Sequence, residues 1–157
     1  MGARGVGPDA GDQDLSKTFT LSEAQTLLPV VEALLHKARA AAAQASEQEQ
    51  EMQQLSQRIF LSGGLHVDVS AAARRQAEHD KAVQEAKDTL AEIDEIGVQV
   101  KDLEQGLLDF PSLMDGKPVL LCWKLGEAAI AHWHTEEEGF AGRKPLDARF
   151  GKTDRLN

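Results

Sequence analysis

His132-x-His134-x-Glu136 is a dense run of ligand-type side chains. In an extended strand, alternate residues project from one face, so two imidazoles and a carboxylate would be presented together. That donor set suits a divalent metal such as zinc, iron or manganese. Asp109 or Glu137 could add an oxygen. The plainer alternative is that a histidine beside Trp133 packs and hydrogen-bonds at a strand end, and a motif this short has many chance matches.

Asp109, Trp123 and Arg143 form the candidate ligand-binding set around those histidines. Asp109 precedes Phe110-Pro111, where it could equally hold local backbone groups. Arg143 follows two glycines in Gly139-Phe140-Ala141-Gly142 and could clamp a carboxylate or phosphate, or simply make a surface ion pair. Cys122 is the only cysteine. Taking Gly126-Glu127 as a two-residue hairpin loop pairs Leu125 with Ala128 and Leu121 with His132. Leu121, Trp123, Ile130, His132 and His134 then share one face, and Cys122 turns to the other with Ala129, Ala131 and Trp133. A one-residue bulge would reverse this. In mid-strand, Cys122 reads as a small buried hydrophobe rather than a nucleophile. No catalytic residue is assigned.

The elements that must position these residues divide at Gly97. Upstream, Thr20 and Glu23 form a capping-box pattern, with Phe19 placed to staple onto Ala24. A seven-residue register follows through Ala24, Val31, Ala38, Ala45, Met52 and Ile59, with Leu28, Leu35 and Ala42 at companion positions and Leu27, Leu34, Ala41 and Leu55 widening the stripe. This predicts a helix of about 40 residues, ~60 Å long, with Pro29 expected to kink its first turns. Ser62-Gly63-Gly64 breaks it. Asp68 or Ser70 can cap a second helix with the register Ala72, His79, Ala86, Ile93, and a short glycine-containing loop implies antiparallel packing. His79 falls in the seam, opposite Glu49 or Met52, where a polar pair can fix register.

Gly97 is suited to the position just past a helix end. The period then changes to two, and four short strands are expected: Val98–Asp102, Leu107–Phe110, Pro118–Leu125 and Ala128–Thr135. The alternative continues the helix through Leu107. Equal helical rise puts position 96 opposite about position 34, so residues 21–33 overhang the second helix and need the small sheet to cover them. The Pro29 region and the 97–145 block should therefore meet.

The chain has 157 residues, 41% hydrophobic and only 4% aromatic, with net charge −9. Such acidity argues against nucleic acid and anionic membrane surfaces as partners. A lone cysteine permits no internal disulfide, and no apolar run reaches transmembrane length. The expected organisation is a disordered N-terminal tail over 1–18, one domain over 19–146 (hairpin 20–96, β module 97–140) and a mobile tail over 147–157.

TFTLSEAQTLLP, GVQVKDLEQGLLDFP, LCWKLGE, AHWH and GFAGRKPL occur in this order over about residues 18–146. Together they resemble the bacterial family catalogued as domain of unknown function 2203. The resemblance implies a small cytoplasmic bacterial protein and carries no catalytic residues with it. His132 departs from the family pattern, where an aromatic residue is more typical, leaving His134 the better-supported ligand.

The fold expected is α+β, mainly α: a long, coiled-coil-like antiparallel helical hairpin followed by a small antiparallel β-meander. Two functions follow. One is a non-enzymatic oligomerising module, a dimer by preference, or a protein-interaction module using its helical faces, because the alanine-rich seam is thin for a lone hairpin. The other is a metal- or small-ligand-binding protein, or metal-dependent hydrolase, with its site between the β module and the Pro29 end of the first helix.

Overall fold

The computed structural model describes residues 17–64 and 68–150. Two long helices pack together, and a five-stranded antiparallel sheet follows them. The first helix, α1 (Leu21–Leu61), opens with the expected capping box: Glu23 N donates to the Thr20 hydroxyl, and the Glu23 carboxylate accepts from Thr20 N. Pro29 lies inside α1. Ser62 caps its far end, and α2 (Val69–Ile96) starts at Asp68, whose carboxylate accepts from Ala71 N. Gly97 ends α2 with φ 108°, a left-handed conformation that a side chain would strain. The helix therefore stops at Ile96 and does not run on to Leu107.

The sheet is a simple meander in the order β1 (Gln99–Asp102), β2 (Leu107–Met114), β3 (Lys117–Lys124), β4 (His132–His134) and β5 (Lys144–Pro145). It has one strand more than the four expected, because Lys144–Pro145 adds an edge to β4. The β2–β3 hairpin turns at Asp115-Gly116, both with positive φ.

The core sits where the overhang of α1 predicted it. Leu28, Val31 and Leu35 of α1 join Ile93 of α2 against Phe110, Leu121 and Trp123 of the sheet. Phe19 meets Phe110 edge to face, with ring centroids 5.9 Å apart. Hydrogen bonds pin the layers together. Phe19 N donates to Pro111 O, and Arg39 donates to the carbonyls of Leu103 and Glu104 in the β1–β2 turn. Phe150 is buried against Trp133. The tail residues 1–16 and 151–157 lie outside the described residues.

Away from the sheet the seam thins. The last fully buried residue of α1 is Ala45, and the first of α2 is Ala82. Met52, Leu55 and Ile59 are half-buried. His79 takes its expected seam position, with Nε2 3.8 Å from the Glu49 carboxylate.

Stability should follow this gradient. Leu35→Ala, at the sheet end, should cost about 2–5 kcal/mol in urea unfolding. Leu55→Ala, in the half-buried arm, should cost less than about 1.5 kcal/mol, the transfer loss of a partly exposed side chain. Equal losses at both positions would contradict a core concentrated at the sheet end.

Candidate functional site

Strand register decides which side chains meet. In the β3–β4 pair, Leu121 lies opposite Trp133, Cys122 opposite His132 and Leu120 opposite His134. This is one residue away from the register expected for a tight Gly126-Glu127 hairpin. The physical reason lies in the connection. Gly126 is the second central residue of a turn closed by Glu127 N donating to Lys124 O, and the chain then runs irregularly to Ala131. The Gln25 side chain from α1 holds that segment by accepting from Ile130 N (3.1 Å) and donating to Ile130 O (3.0 Å).

The consequence is a change of faces. Trp123, Leu121 and Trp133 turn inward to the helices. Cys122, expected on the opposite side from the histidines, shares their outer face, with Asp109 directly across from it on β2. The signal that could have found this was in the sequence. Trp123 and Trp133 are the largest apolar side chains, and placing both inward requires this parity.

The outer face is not left to solvent. Asp109, Cys122 and His134 are at most 2% exposed. The chain after β4 folds back over them through Glu136, Gly139 and Phe140, enclosing a cavity of about 170 Å³. Gly139, at φ 69°, permits the reversal. Glu138 ties the turn by accepting from Thr135 N and pairing with Lys144, a pairing that holds its carboxyl down at about 2. Leu107, Leu120 and Phe140 give the cavity apolar walls, and Lys101 and Glu136 also line it. A larger groove of about 540 Å³ lies open beside Phe19 and Leu27, and its Glu23 is already engaged in the capping box.

On the cavity floor, His134 Nε2 stands 3.1 Å from Asp109 Oδ1. His134 Nδ1 lies 2.7 Å from Thr135 O. A carbonyl can only accept, so Nδ1 carries a proton. Nε2 is thus left to share one proton with Asp109. Burial pushes the Asp109 carboxyl above its usual value of 3.8, against the opposing pull of His134 and Lys101. The Cys122 thiol also hydrogen-bonds Asp109, and burial, reinforced by that carboxylate, pushes it up to about 12. Asp109 is the contact that the other two share. With a thiol this weakly acidic and buried, Cys122 is not arranged as a nucleophile.

The remaining candidates fall in two places. Glu136 lines the cavity with His134. His132 instead joins a separate network: Arg143 donates to His132 Nδ1 (2.8 Å) and to Glu127 (2.6 Å), and its guanidinium stacks on Phe140. Trp123 points into the core, with Nε1 donating to Glu127 O. Sequence reasoning thus paired His134 with His132, whereas its contacts are Asp109 and Thr135. Among the described residues, the one cluster of three ligand-type side chains is Asp109, Cys122 and His134, with donor atoms all within 4.8 Å of one another.

A helical hairpin carrying a meander sheet, with a buried polar cluster under a folded-back loop, defines the class. The chain belongs to the family described as "Uncharacterized conserved protein (DUF2203)", which matches residues 17–146. No curated protein and no solved structure matches it.

The raised Asp109 value has a testable sign. In the window above 3.8, the folded chain holds a proton that the unfolded chain has released. Asp109 therefore contributes most stability at pH below 3.8 and loses it as pH rises through the folded value. In chelator, the stability of wild type relative to Asp109→Asn should fall as pH rises from 4 towards neutrality, measured by urea unfolding at stepped pH. A difference that grows with pH would contradict a desolvated carboxyl.

Proposed function

We propose that this is a small-ligand-binding protein whose site is the cavity on the outer face of the sheet. The observation that carries the reading is the buried convergence of Asp109, Cys122 and His134 on the cavity floor. Burying ionisable groups opposes folding, and apolar residues of similar volume would pack there at least as well. A polar cluster under a cavity with apolar walls is the usual composition of a ligand site. At about 170 Å³ the cavity suits an ion or a molecule of few heavy atoms.

A second reading concerns the helical arm, and one observation favours it. Phe60 and Leu61 at the end of α1, and Val69 at the start of α2, are 81%, 77% and 74% exposed. Together with the half-buried seam, these side chains support an arm that associates with a second copy of the chain, a dimer by preference. The two readings are compatible, because the arm's far end is remote along α1 from the residues that meet the sheet.

Native mass spectrometry tests both at once on the chain of 17.1 kDa. Gently isolated protein should appear as a dimer, each chain carrying added mass that denaturation removes. Leu120→Phe, which fills the cavity, should abolish the added mass and leave the dimer intact. A monomer without added mass would contradict both readings.

A further inference from the structure

We infer that Asp109, Cys122 and His134 bind a divalent zinc-class ion whose open coordination position faces the cavity. The inference deepens the binding-site reading above and rests on it.

Three features of the cluster point to a metal rather than to an organic ligand alone. The first is convergence. One carboxylate oxygen, one sulfur and one imidazole nitrogen, from three adjacent strands, lie within 4.8 Å of one another. Donors around a tetrahedral zinc ion stand roughly 3.3–3.8 Å apart, given bonds of ~2.0–2.3 Å. Small side-chain rotations bring this set to that spacing, and Asp109 Oδ1 and His134 Nε2 are already 3.1 Å apart. The register makes this possible: Asp109 and Cys122 are directly opposite, and His134 reaches them diagonally from β4.

The second feature is the orientation of His134. Its Nδ1–H is held by the Thr135 carbonyl, which fixes the ring and its tautomer and aims the Nε2 lone pair at the other two donors. A backbone carbonyl on the distal nitrogen is the outer contact that metal-bound imidazoles normally make. This contact comes from the residue that starts the folded-back loop, so the element that closes the cavity also sets the ligand.

The third is charge and donor type. A divalent ion with one carboxylate, one thiolate and one neutral imidazole has zero net charge. That balance suits a site walled by Leu107, Leu120 and Phe140. On binding, the proton shared by Asp109 and His134 Nε2 and the proton of the Cys122 thiol are released to solvent, and His134 keeps its Nδ1 proton. A thiolate with an imidazole selects zinc over magnesium, calcium or manganese, which prefer oxygen donors. Three protein donors leave a fourth position for water or a small ligand, the pattern of zinc sites that act on substrates. Glu136 also lines the cavity.

The test uses the full chain, stripped with chelator and titrated with cobalt(II) as a spectroscopic stand-in for zinc. Wild type should bind one equivalent, with a thiolate-to-cobalt charge-transfer band and the intense visible bands of four-coordinate cobalt. One equivalent of zinc should displace it. Cys122→Ser should lose the charge-transfer band while retaining the wild-type circular dichroism spectrum. His134→Gln should weaken binding by more than ~100-fold, since loss of an outer-shell contact alone costs ~10–100-fold. A wild-type titration without a charge-transfer band, or one unchanged by Cys122→Ser, would overturn the inference. If that happens while native mass spectrometry still finds an added organic mass, the metal assignment falls and the binding-site reading stands. If neither ion nor added mass is found, both fall.

Discussion

The structure depends on the pairing of β3 with β4, Leu121 against Trp133. Side chains alternate across a strand, so a slip of one residue would exchange the two faces of β4. In the observed register, Trp133 joins Trp123 and Leu121 over the helices. The outer face then receives His132, His134 and Cys122 together. The apolar drive to bury two indoles on one side thereby assembles a polar cluster on the other. Gln25 holds this register from a distance, because its side chain completes the backbone hydrogen bonds of Ile130 where no strand neighbour does.

The division of labour along the hairpin follows from the same contact. The first turns of α1 overhang α2 and bury Leu28, Val31 and Leu35 against the sheet. There the helices act as a rigid wall that supports the inner face and, through it, the outer one. Farther out, α1 and α2 meet mainly through alanines and half-buried side chains, and that region contributes little to the site. The folded-back loop finishes the site. Arg143 bridges it to Glu127 in the β3–β4 connection, and Phe140, stacked under that guanidinium, also lines the cavity.

Much of the frame was legible in the sequence because its signals are local. The Thr20–Glu23 box, the seven-residue register, the Ser62-Gly63-Gly64 break and the Gly97 stop each act within a turn or two of chain. The overhang of α1 followed from helical rise alone. Asp109 and His134 were recognisable by residue type, with Asp109 one of two residues expected to add an oxygen beside the histidines, but the direct contact between the two was not legible. The β3–β4 register was misread because Gly126-Glu127 resembles a tight hairpin, while the contact that overrides it comes from Gln25, 105 positions away. That parity put Cys122 on the face away from the histidines. The covering of the outer face was also not legible, because it depends on Gly139 and on ion pairs formed only once the loop has turned back.

The central claim is that His134 faces Asp109 and Cys122 with its Nδ1 proton held by Thr135, while His132 belongs to a different network. The most direct test is the pair of histidine tautomers, read from ¹⁵N–¹H long-range correlations on metal-free, ¹⁵N-labelled protein. His134 should carry its proton on Nδ1. His132, whose Nδ1 accepts from Arg143, should carry its proton on Nε2. Opposite tautomers on two histidines two residues apart would support the register and the cluster together. Nε2-protonated rings at both positions, with Nδ1 of His134 unprotonated, would contradict the account.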